Sequence, residues 1–122
     1  MARLKKRYRL TRRSDFQRVL GPNRVYAGQA LIGFAVAREG LESRIGVSAS
    51  RKLSGAVERN RARRRLREVT RRVLLAPDSP LRARGIPYDV VLIARPAAVK
   101  LPFSTVEAEA RALLERLLAR AG

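Results

Sequence analysis

The chain of 122 residues contains no cysteine, no histidine and no tryptophan. Without cysteine it can form neither a disulfide bond nor a thiolate metal site. Without histidine it lacks the commonest general base and the commonest metal ligand. These absences exclude zinc sites and the Ser-His and Cys-His systems of nucleophilic catalysis.

Acidic residues are also scarce, since 28 lysines and arginines face 10 aspartates and glutamates, giving a formal charge of +18. A compact domain with this charge repels itself, which indicates that the charge serves to bind a polyanion. Nucleic acid is the first candidate, and an anionic membrane surface is the second. No hydrophobic stretch is long enough to span a bilayer, and no apolar run follows the basic N-terminus as it would in a signal peptide.

Apolar residues make up 46% of the chain, which is enough for a folded core rather than a disordered basic tail. A chain of this length is usually one domain, so we expect a single domain over residues 1–122. Residues 1–13, MARLKKRYRLTRR, are basic and show no periodicity, which indicates an irregular and flexible lead-in.

The most informative segment is AVERNRARRRLRE, residues 56–68, which predicts a basic helix that runs to about Leu75. A rotation of about 100° per residue sorts its side chains into two stripes. The polar stripe consists of Asn60, Arg64, Arg67 and Arg71. The opposite, apolar stripe consists of Ala62, Leu66, Val69 and Val73. One side can therefore pack on a core while the other presents guanidinium groups, whose planar fork suits phosphate.

A shorter helix is predicted near the N-terminus, because Ser14 and Gln17 have the spacing of a capping box. Gly21 and Pro22 would end this helix after Leu20. Its apolar face would consist of Phe16, Val19 and Leu20.

Two strands are predicted before the basic helix, at residues 29–37 and 44–50, where polarity alternates. Residues 38–43 would join them as a hairpin. The region 24–28 fits an additional short strand.

Two further elements follow a loop over residues 76–87. Residues 88–95, YDVVLIAR, predict a buried strand. Ser104 and Glu107 form a second capping-box pattern at the start of the last helix. The apolar face of that helix would consist of Val106, Ala110, Leu113, Leu114, Leu117 and Leu118.

The predicted order is therefore αββαβα, or αβββαβα with the additional strand. This is an α+β fold, a small sandwich in which one mixed sheet packs with helices. By the general rule, the strand-helix-strand unit between residues 44 and 95 would cross over in the right-handed sense.

Several segments resemble one known family, in the same order and spacing. The run KLSGAVERNRARRRLRE, residues 52–68, resembles the RNR-motif region of the bacterial ribonuclease P protein subunit. Residues 4–20, LKKRYRLTRRSDFQRVL, are similar to that family's basic lead-in and aromatic-bearing first helix. RIGVSASRK at 44–52 and YDVVLIARP at 88–96 are similar to two of its strands.

The resemblance implies the protein subunit of ribonuclease P, which acts with a large catalytic RNA to remove the 5′ leader from precursor tRNA. In that family the RNA carries the active site and its magnesium ions, so the protein alone would bind no metal and no cofactor. The family fold has a left-handed βαβ crossover, opposite to the general rule. We accordingly expect a cytoplasmic protein whose partners are the catalytic RNA and precursor tRNA, with no membrane and no DNA partner.

The resemblance also assigns residues. Arg59, Asn60 and Arg61 stand at the position of the family's RNR triplet. The expected RNA-binding group, mainly for phosphates and 2′-hydroxyls, is Arg51, Lys52, Arg59, Asn60, Arg61, Arg63, Arg64, Arg65, Arg67 and Arg71. The expected leader cleft contains Arg9, Arg12, Phe16 and Phe34. A phenylalanine can stack on any base, although one on an amphipathic helix more often packs in the core.

Three other interpretations compete with this one. A ribosomal or chaperone-type RNA-binding protein would share the charge and size, but not the ordered motifs. A basic-region leucine zipper also places Asn in an Arg-rich helix, but it needs apolar heptads beyond the point where Pro77 and Pro80 stop this one. A protein nuclease needs clustered carboxylates, and apart from Asp15 and Asp89, which could approach each other, the acidic residues are dispersed. We therefore predict that the isolated protein is not catalytic.

Overall fold

The computed structural model describes residues 6–40 and 42–121 as a four-stranded sheet with helices on both faces. The predicted order αβββαβα is confirmed, with one additional short helix. In chain order the elements are α1 (Arg13–Val19), β1 (Arg24–Ala27), β2 (Leu31–Ala37), β3 (Arg44–Ala49), α2 (Gly55–Val73), α3 (Pro80–Ala83), β4 (Tyr88–Ala94) and α4 (Phe103–Ala121). Within these described residues, no helix is both long and apolar enough to cross a membrane.

The strands lie in the order β1-β2-β4-β3, so the hairpin predicted between residues 29–37 and 44–50 is wrong. β4 lies between them, antiparallel to β2 and parallel to β3. The reason is burial, because every residue of β4 except Ile93 is buried, whereas β3 is largely half-buried. A strand that is apolar on both faces belongs in the middle of a sheet.

The crossover from β3 through α2 to β4 is left-handed, as the resemblance implied. Consider the sheet viewed from α2, with β3 running upward. An L-residue whose side chain points towards the viewer then directs its backbone carbonyl to the right. Ile45 faces α2, and its carbonyl accepts a hydrogen bond from Leu10 (2.9 Å) at the outer edge of β3. On β4, Ala94 faces the same way and its carbonyl accepts from Ser50 (2.8 Å). β4 therefore lies to the left of β3, so the default right-handed crossover is wrong here.

Each face of the sheet has its own hydrophobic cluster. α2 and α4 cover one face, and the apolar stripes predicted for both helices lie against it. The shorter α1 covers part of the other face, where Val19 is fully buried and clusters with Val91 of β4. Strand β2 serves both faces, because Leu31, Gly33 and Ala35 are buried while Ile32, Phe34 and Val36 are half-buried.

Both predicted capping boxes are wrong, because each helix starts before its serine. α1 begins at Arg13 and α4 at Phe103, so Ser14 and Ser104 lie inside the first turns. The carbonyl of Pro102 accepts the first bond of α4, from Thr105 (3.0 Å). A serine cap contributes only about 1 kcal/mol, and an earlier start lets Phe103 pack against the core.

Two segments that were expected to be irregular contain structure. Residues 1–5 of the lead-in lie outside the described part of the chain. Lys6–Tyr8 form a 3-10 turn, after which Leu10 is buried beside β3. The segment 76–87 contains α3, which Pro80 starts because its fixed φ suits the first helical turn.

Asp89 of β4 is buried on the α1 face, with 1% of its surface exposed. Arg44 of β3 donates two hydrogen bonds to it, from Nε to Oδ1 (2.9 Å) and from Nη2 to Oδ2 (2.8 Å). Arg18 of α1 donates from Nη2 to Oδ2. Burial alone would raise the pKa of Asp89, but the hydrogen bonds from Arg44 and Arg18 outweigh burial and lower this pKa. One charged carboxylate thus joins β4, β3 and α1.

We predict that Asp89→Asn lowers the free energy of unfolding at pH 7 by about 2–3 kcal/mol, because two arginines lose their charged acceptor. Since the pKa of Asp89 is lower in the folded state, its stabilisation is complete above the unfolded pKa and is lost as pH falls through the folded pKa. The difference between the wild type and the variant should therefore shrink progressively below about pH 4. Chemical denaturation between pH 7 and pH 3 measures it.

Asp78→Asn is the matched control, because Asp78 lies exposed in the turn before α3. This variant should match the wild type at both ends of the pH range. A stability loss for Asp89→Asn that is equally large at pH 3 and pH 7 would mean that the carboxylate charge is not its source.

Candidate nucleic-acid interface

The ten residues predicted to bind RNA lie on α2 and in the turn before it, and all keep some solvent exposure. The exposed members are Arg51, Lys52, Asn60, Arg61 and Arg64. The half-buried members are Arg59, Arg63, Arg65, Arg67 and Arg71. The structure therefore brings the predicted group together on one element, but it divides that group between two flanks of the helix.

One flank of α2, the α4-side flank, consists of Arg65 and Arg72. Their guanidinium carbons lie 5.9 Å and 5.3 Å from the ring centre of Phe103 in α4. Arg65 also donates from Nη1 to the carbonyl of Ala98 (2.6 Å), and Nε of Arg72 lies 3.4 Å from a carboxylate oxygen of Glu107. These two arginines join α2 to the following elements, so each has a structural contact within the protein.

The other flank, the β3-side flank, consists of Asn60, Arg63, Arg64 and Arg67. A rotation of about 100° per residue separates these residues from the α4-side flank. Within it, Arg63 donates from Nη1 to Oδ1 of Asn60 (2.8 Å). This contact orients one guanidinium group and adds no negative charge.

Arg67 of the β3-side flank is half-buried, and its charge is in an unfavourable environment. Burial, and then the nearby charges of Arg9 and Arg63, lower the pKa of its guanidinium group. It stays protonated at neutral pH, because arginine keeps its proton under all working conditions. Three cations thus converge where one of them is partly desolvated, an arrangement that an anion would relieve.

Arg71 differs from its neighbours because it forms an ion pair within the helix. It donates to both carboxylate oxygens of Glu68, one turn earlier. The hydrogen bond from Arg71 lowers the pKa of Glu68. The charge of Glu68 therefore offsets that of Arg71 at this turn of α2.

The turn before α2 places Arg51 and Lys52 at the exposed end of β3. Leu53 anchors this turn, since it is 2% exposed and joins the main core. Gly55 then starts α2 with a φ of +75°, a value that side-chain-bearing residues rarely adopt.

Phe16 and Phe34 lie together on the opposite face of the sheet, each half-buried in one cluster. The Phe16 ring seats on Gly46 of β3, so closely that the Cβ atom of any larger residue at position 46 would lie 2.7 Å from the ring. Gly46 therefore leaves room for the ring and lets α1 approach the sheet. Because both rings are half-buried, the core role and a contact role are compatible.

The half-buried surface of the sheet beside α1, called the cleft below, is where the predicted leader-binding rings lie. The pairing register aligns Phe34 with Val91, and this row lies beneath Phe16. The next row, towards the carboxyl end of β4, contains Ile32, Ile93 and Ser48, all half-buried. This row forms an apolar floor next to the two aromatic rings.

The two arginines predicted for the cleft are separated from each other. Arg12 is exposed and immediately precedes α1, the helix that carries Phe16. Arg9 forms a bridge to Ile45 at the outer edge of β3, and its charge acts on Arg67. Arg9 therefore belongs to the surface of the β3-side flank.

Sequence reasoning missed Arg24 and Arg95 as basic residues around the cleft. Arg24 pairs with Phe34 across β1 and β2, so it shares the cleft face, and it is exposed. Arg95 follows β4, is exposed, and donates to the carbonyl of Gly28 (2.9 Å). The alternation of β1 could have identified Arg24, whereas Arg95 required the order of the strands.

Acidic side chains do not cluster in the described residues, where no group of three or more His, Cys, Asp or Glu could hold a metal ion. Asp15 and Asp89 do approach each other, as the sequence allowed. Arg18 lies between them, with its Nη2 3.4 Å from Oδ1 of Asp15 and also bonded to Asp89. Arg18 thus bridges the two carboxylates.

Comparison with known proteins matches this arrangement to one family. The model of the Ribonuclease P family matches residues 4–118. The ribonuclease P protein component of Symbiobacterium thermophilum is 43% identical over 98% of this chain and 100% of its own length. That of Dehalococcoides mccartyi is 39% identical over 87% of this chain and 81% of its own length.

Solved structures agree. The ribonuclease P protein of Thermotoga maritima superposes with a TM-score of 0.68 and 26% identity, covering 88% of this chain and 96% of that one. A Staphylococcus aureus ribonuclease P protein mutant, described as defective in mRNA degradation activity, superposes with a TM-score of 0.70 and 25% identity over 90% of this chain and 87% of that one. The chain therefore belongs to the ribonuclease P protein family, and it is the accessory protein subunit of the RNA-based endoribonuclease that matures the 5′ ends of tRNA.

Proposed function

We propose that the protein uses two separate surfaces in this reaction. The β3-side flank of α2, together with Arg9, Arg51 and Lys52, binds the catalytic RNA. The cleft beside α1 binds the 5′ leader of precursor tRNA. The observation that carries the proposal is Arg67, a half-buried cation that Arg9 and Arg63 approach. Folding brings these like charges together, and they repel one another. A phosphate bound between them would turn this repulsion into attraction.

The chemistry of the β3-side flank suits a structured RNA. Double-stranded RNA is bound mainly through phosphates and 2′-hydroxyls, because its deep major groove is hard to read. The guanidinium groups of Arg63, Arg64 and Arg67 supply phosphate donors, and Asn60 can both donate to and accept from a 2′-hydroxyl. Arg59 and Arg61 extend this surface towards the start of α2. Arg65 lies on the α4-side flank, so we assign it a structural role in place of the predicted RNA contact.

The chemistry of the cleft suits a single strand. Phe16 and Phe34 offer ring surface on which a base can stack without sequence preference. Ile32 and Ile93 extend the apolar floor, and Arg12 and Arg24 provide positive charge on the same face. Leader sequences differ from one precursor tRNA to another, so the leader-binding surface has to accept any base.

The protein's part in cleavage is binding and positioning. We infer from membership of the ribonuclease P family that the magnesium ions belong to the RNA partner. The chain would act as one RNA-binding domain in the cytoplasm, where precursor tRNA is processed.

We predict that changing Arg64 and Arg67 together to Gln flattens the salt dependence of binding to the catalytic RNA. Each lost phosphate contact should reduce the slope of log K against log salt by about 0.7–0.9, hence by roughly 1.4–1.8 for the pair. Filter binding or fluorescence titration measures this slope. The salt concentration should range from about 50 to about 400 mM, which brackets the physiological ionic strength.

The matched control changes Arg65 and Arg72 together to Gln. It removes the same formal charge from the same helix, but from the α4-side flank. Its slope should stay near that of the wild type, although its thermal stability should fall because contacts with Phe103, Ala98 and Glu107 are lost. Equal slopes for the two double variants would place the RNA surface elsewhere.

We also predict that Phe16→Ala weakens binding of precursor tRNA by the assembled enzyme about tenfold, since a base-aromatic stack contributes ~1–3 kcal/mol. Binding of mature tRNA, which has no leader, should be unchanged. Phe103→Ala is the control, because Phe103 is also half-buried but lies on the other side of the sheet. If Phe16→Ala affects precursor and mature tRNA equally, Phe16 acts only in the core.

A further inference from the structure

The position of α1 depends on few contacts. The helix has seven residues, and helices this short are not stable alone. Val19 packs in the cluster with Val91, and Phe16 seats on Gly46. Asn23, just before β1, donates to the carbonyls of Val19 and Leu20 at the C-terminal end of the helix. A further polar contact joins Arg18 to the buried carboxylate of Asp89 in the sheet.

We propose that Asp89 is a positioning residue for leader binding, because its contact with Arg18 holds α1 so that Phe16 faces the cleft. This inference rests on the proposed function of the cleft. Asp89 lies one row away from the pair Phe34 and Val91, on the side opposite the open row with Ile32 and Ile93. It is 1% exposed, so it cannot contact the RNA itself.

The geometry gives Arg18 and Arg44 different roles around the same carboxylate. Arg44 lies on β3 and joins two neighbouring strands that the sheet already holds together. Arg18 lies on α1 and joins a short helix to the sheet. Loss of either removes one positive charge and weakens the same cluster, but only loss of Arg18 releases α1.

Arg18 could instead bind a leader phosphate directly, as an arginine beside the cleft. The contacts of its side chain argue against this, because Asp89 and Asp15 both lie within 3.4 Å of Nη2. The two explanations predict opposite effects for Asp89→Asn. If Arg18 bound phosphate, removal of a nearby negative charge would strengthen RNA binding; if Asp89 positions α1, the same change weakens leader binding.

The test measures the affinities of the reconstituted holoenzyme for precursor tRNA and for mature tRNA. The variants are Arg18→Gln, Asp89→Asn and, as the matched control, Arg44→Gln. We expect Arg18→Gln and Asp89→Asn to reduce the precursor-to-mature affinity ratio about tenfold, which corresponds to the loss of one base stack. Arg44→Gln should keep the wild-type ratio.

A second readout separates positioning from direct contact. With positioning, the salt slope for precursor tRNA should be the same for Arg18→Gln and the wild type. A direct phosphate contact would lower the slope by about 0.7. Arg18→Lys, which keeps a charged donor near Asp89, should recover part of the ratio and checks that the losses do not come from general unfolding.

Three results would overturn the proposal: an unchanged ratio for Arg18→Gln, a raised ratio for Asp89→Asn, or the same loss for Arg44→Gln. If the proposed function of the cleft is wrong, the result differs from these three, because the wild-type holoenzyme itself would then show no preference for precursor over mature tRNA.

Discussion

The rest of this structure depends on how Asp89 is accommodated on the central strand. A buried carboxylate is unfavourable unless cations and hydrogen bonds compensate it, and here Arg44 and Arg18 supply both. The contact between Arg18 and Asp89 adds to the apolar contacts of Val19 and Phe16, and together they hold α1 on this face of the sheet. The opposite face packs against α2 and α4, whose apolar stripes form most of the main core. The two sides of the sheet can therefore serve different partners.

Ion pairs within the protein involve only some of its many arginines. Glu107 with Arg72 and Asp89 with Arg44 join different elements, whereas Glu68 with Arg71 lies within α2. Among the described residues, Arg63, Arg64 and Arg67 of the β3-side flank form no ion pair with an acidic side chain, so their charge is available to a partner. Because acidic residues are scarce, only some arginines are paired within the protein, and the others are available to RNA.

Local patterns predicted the elements well, because stripes and alternation report directly on which side of a helix or strand is buried. The apolar faces of α2 and α4, the alternation of β2 and the burial of β4 were all visible in the sequence. The partners of the strands were not, since an alternating segment such as β3 can pair equally well in a hairpin or beside β4. The capping box of α4 failed because packing of Phe103 outweighs one serine cap. The two flanks of α2 could not be separated either, because the difference between Arg65 and Arg67 depends on Phe103 and Arg9, which are distant in sequence.

The central claim is that this chain acts as the accessory subunit of an RNA enzyme and carries no cleavage activity of its own. The measurement that tests it most directly is reconstitution of purified protein with the host's candidate catalytic RNA, using 5′-labelled precursor tRNA at low magnesium concentration. The account predicts that efficient release of the leader requires both components. Release by the protein alone after nuclease treatment to remove RNA, or release by the RNA that the protein leaves unchanged, would contradict it.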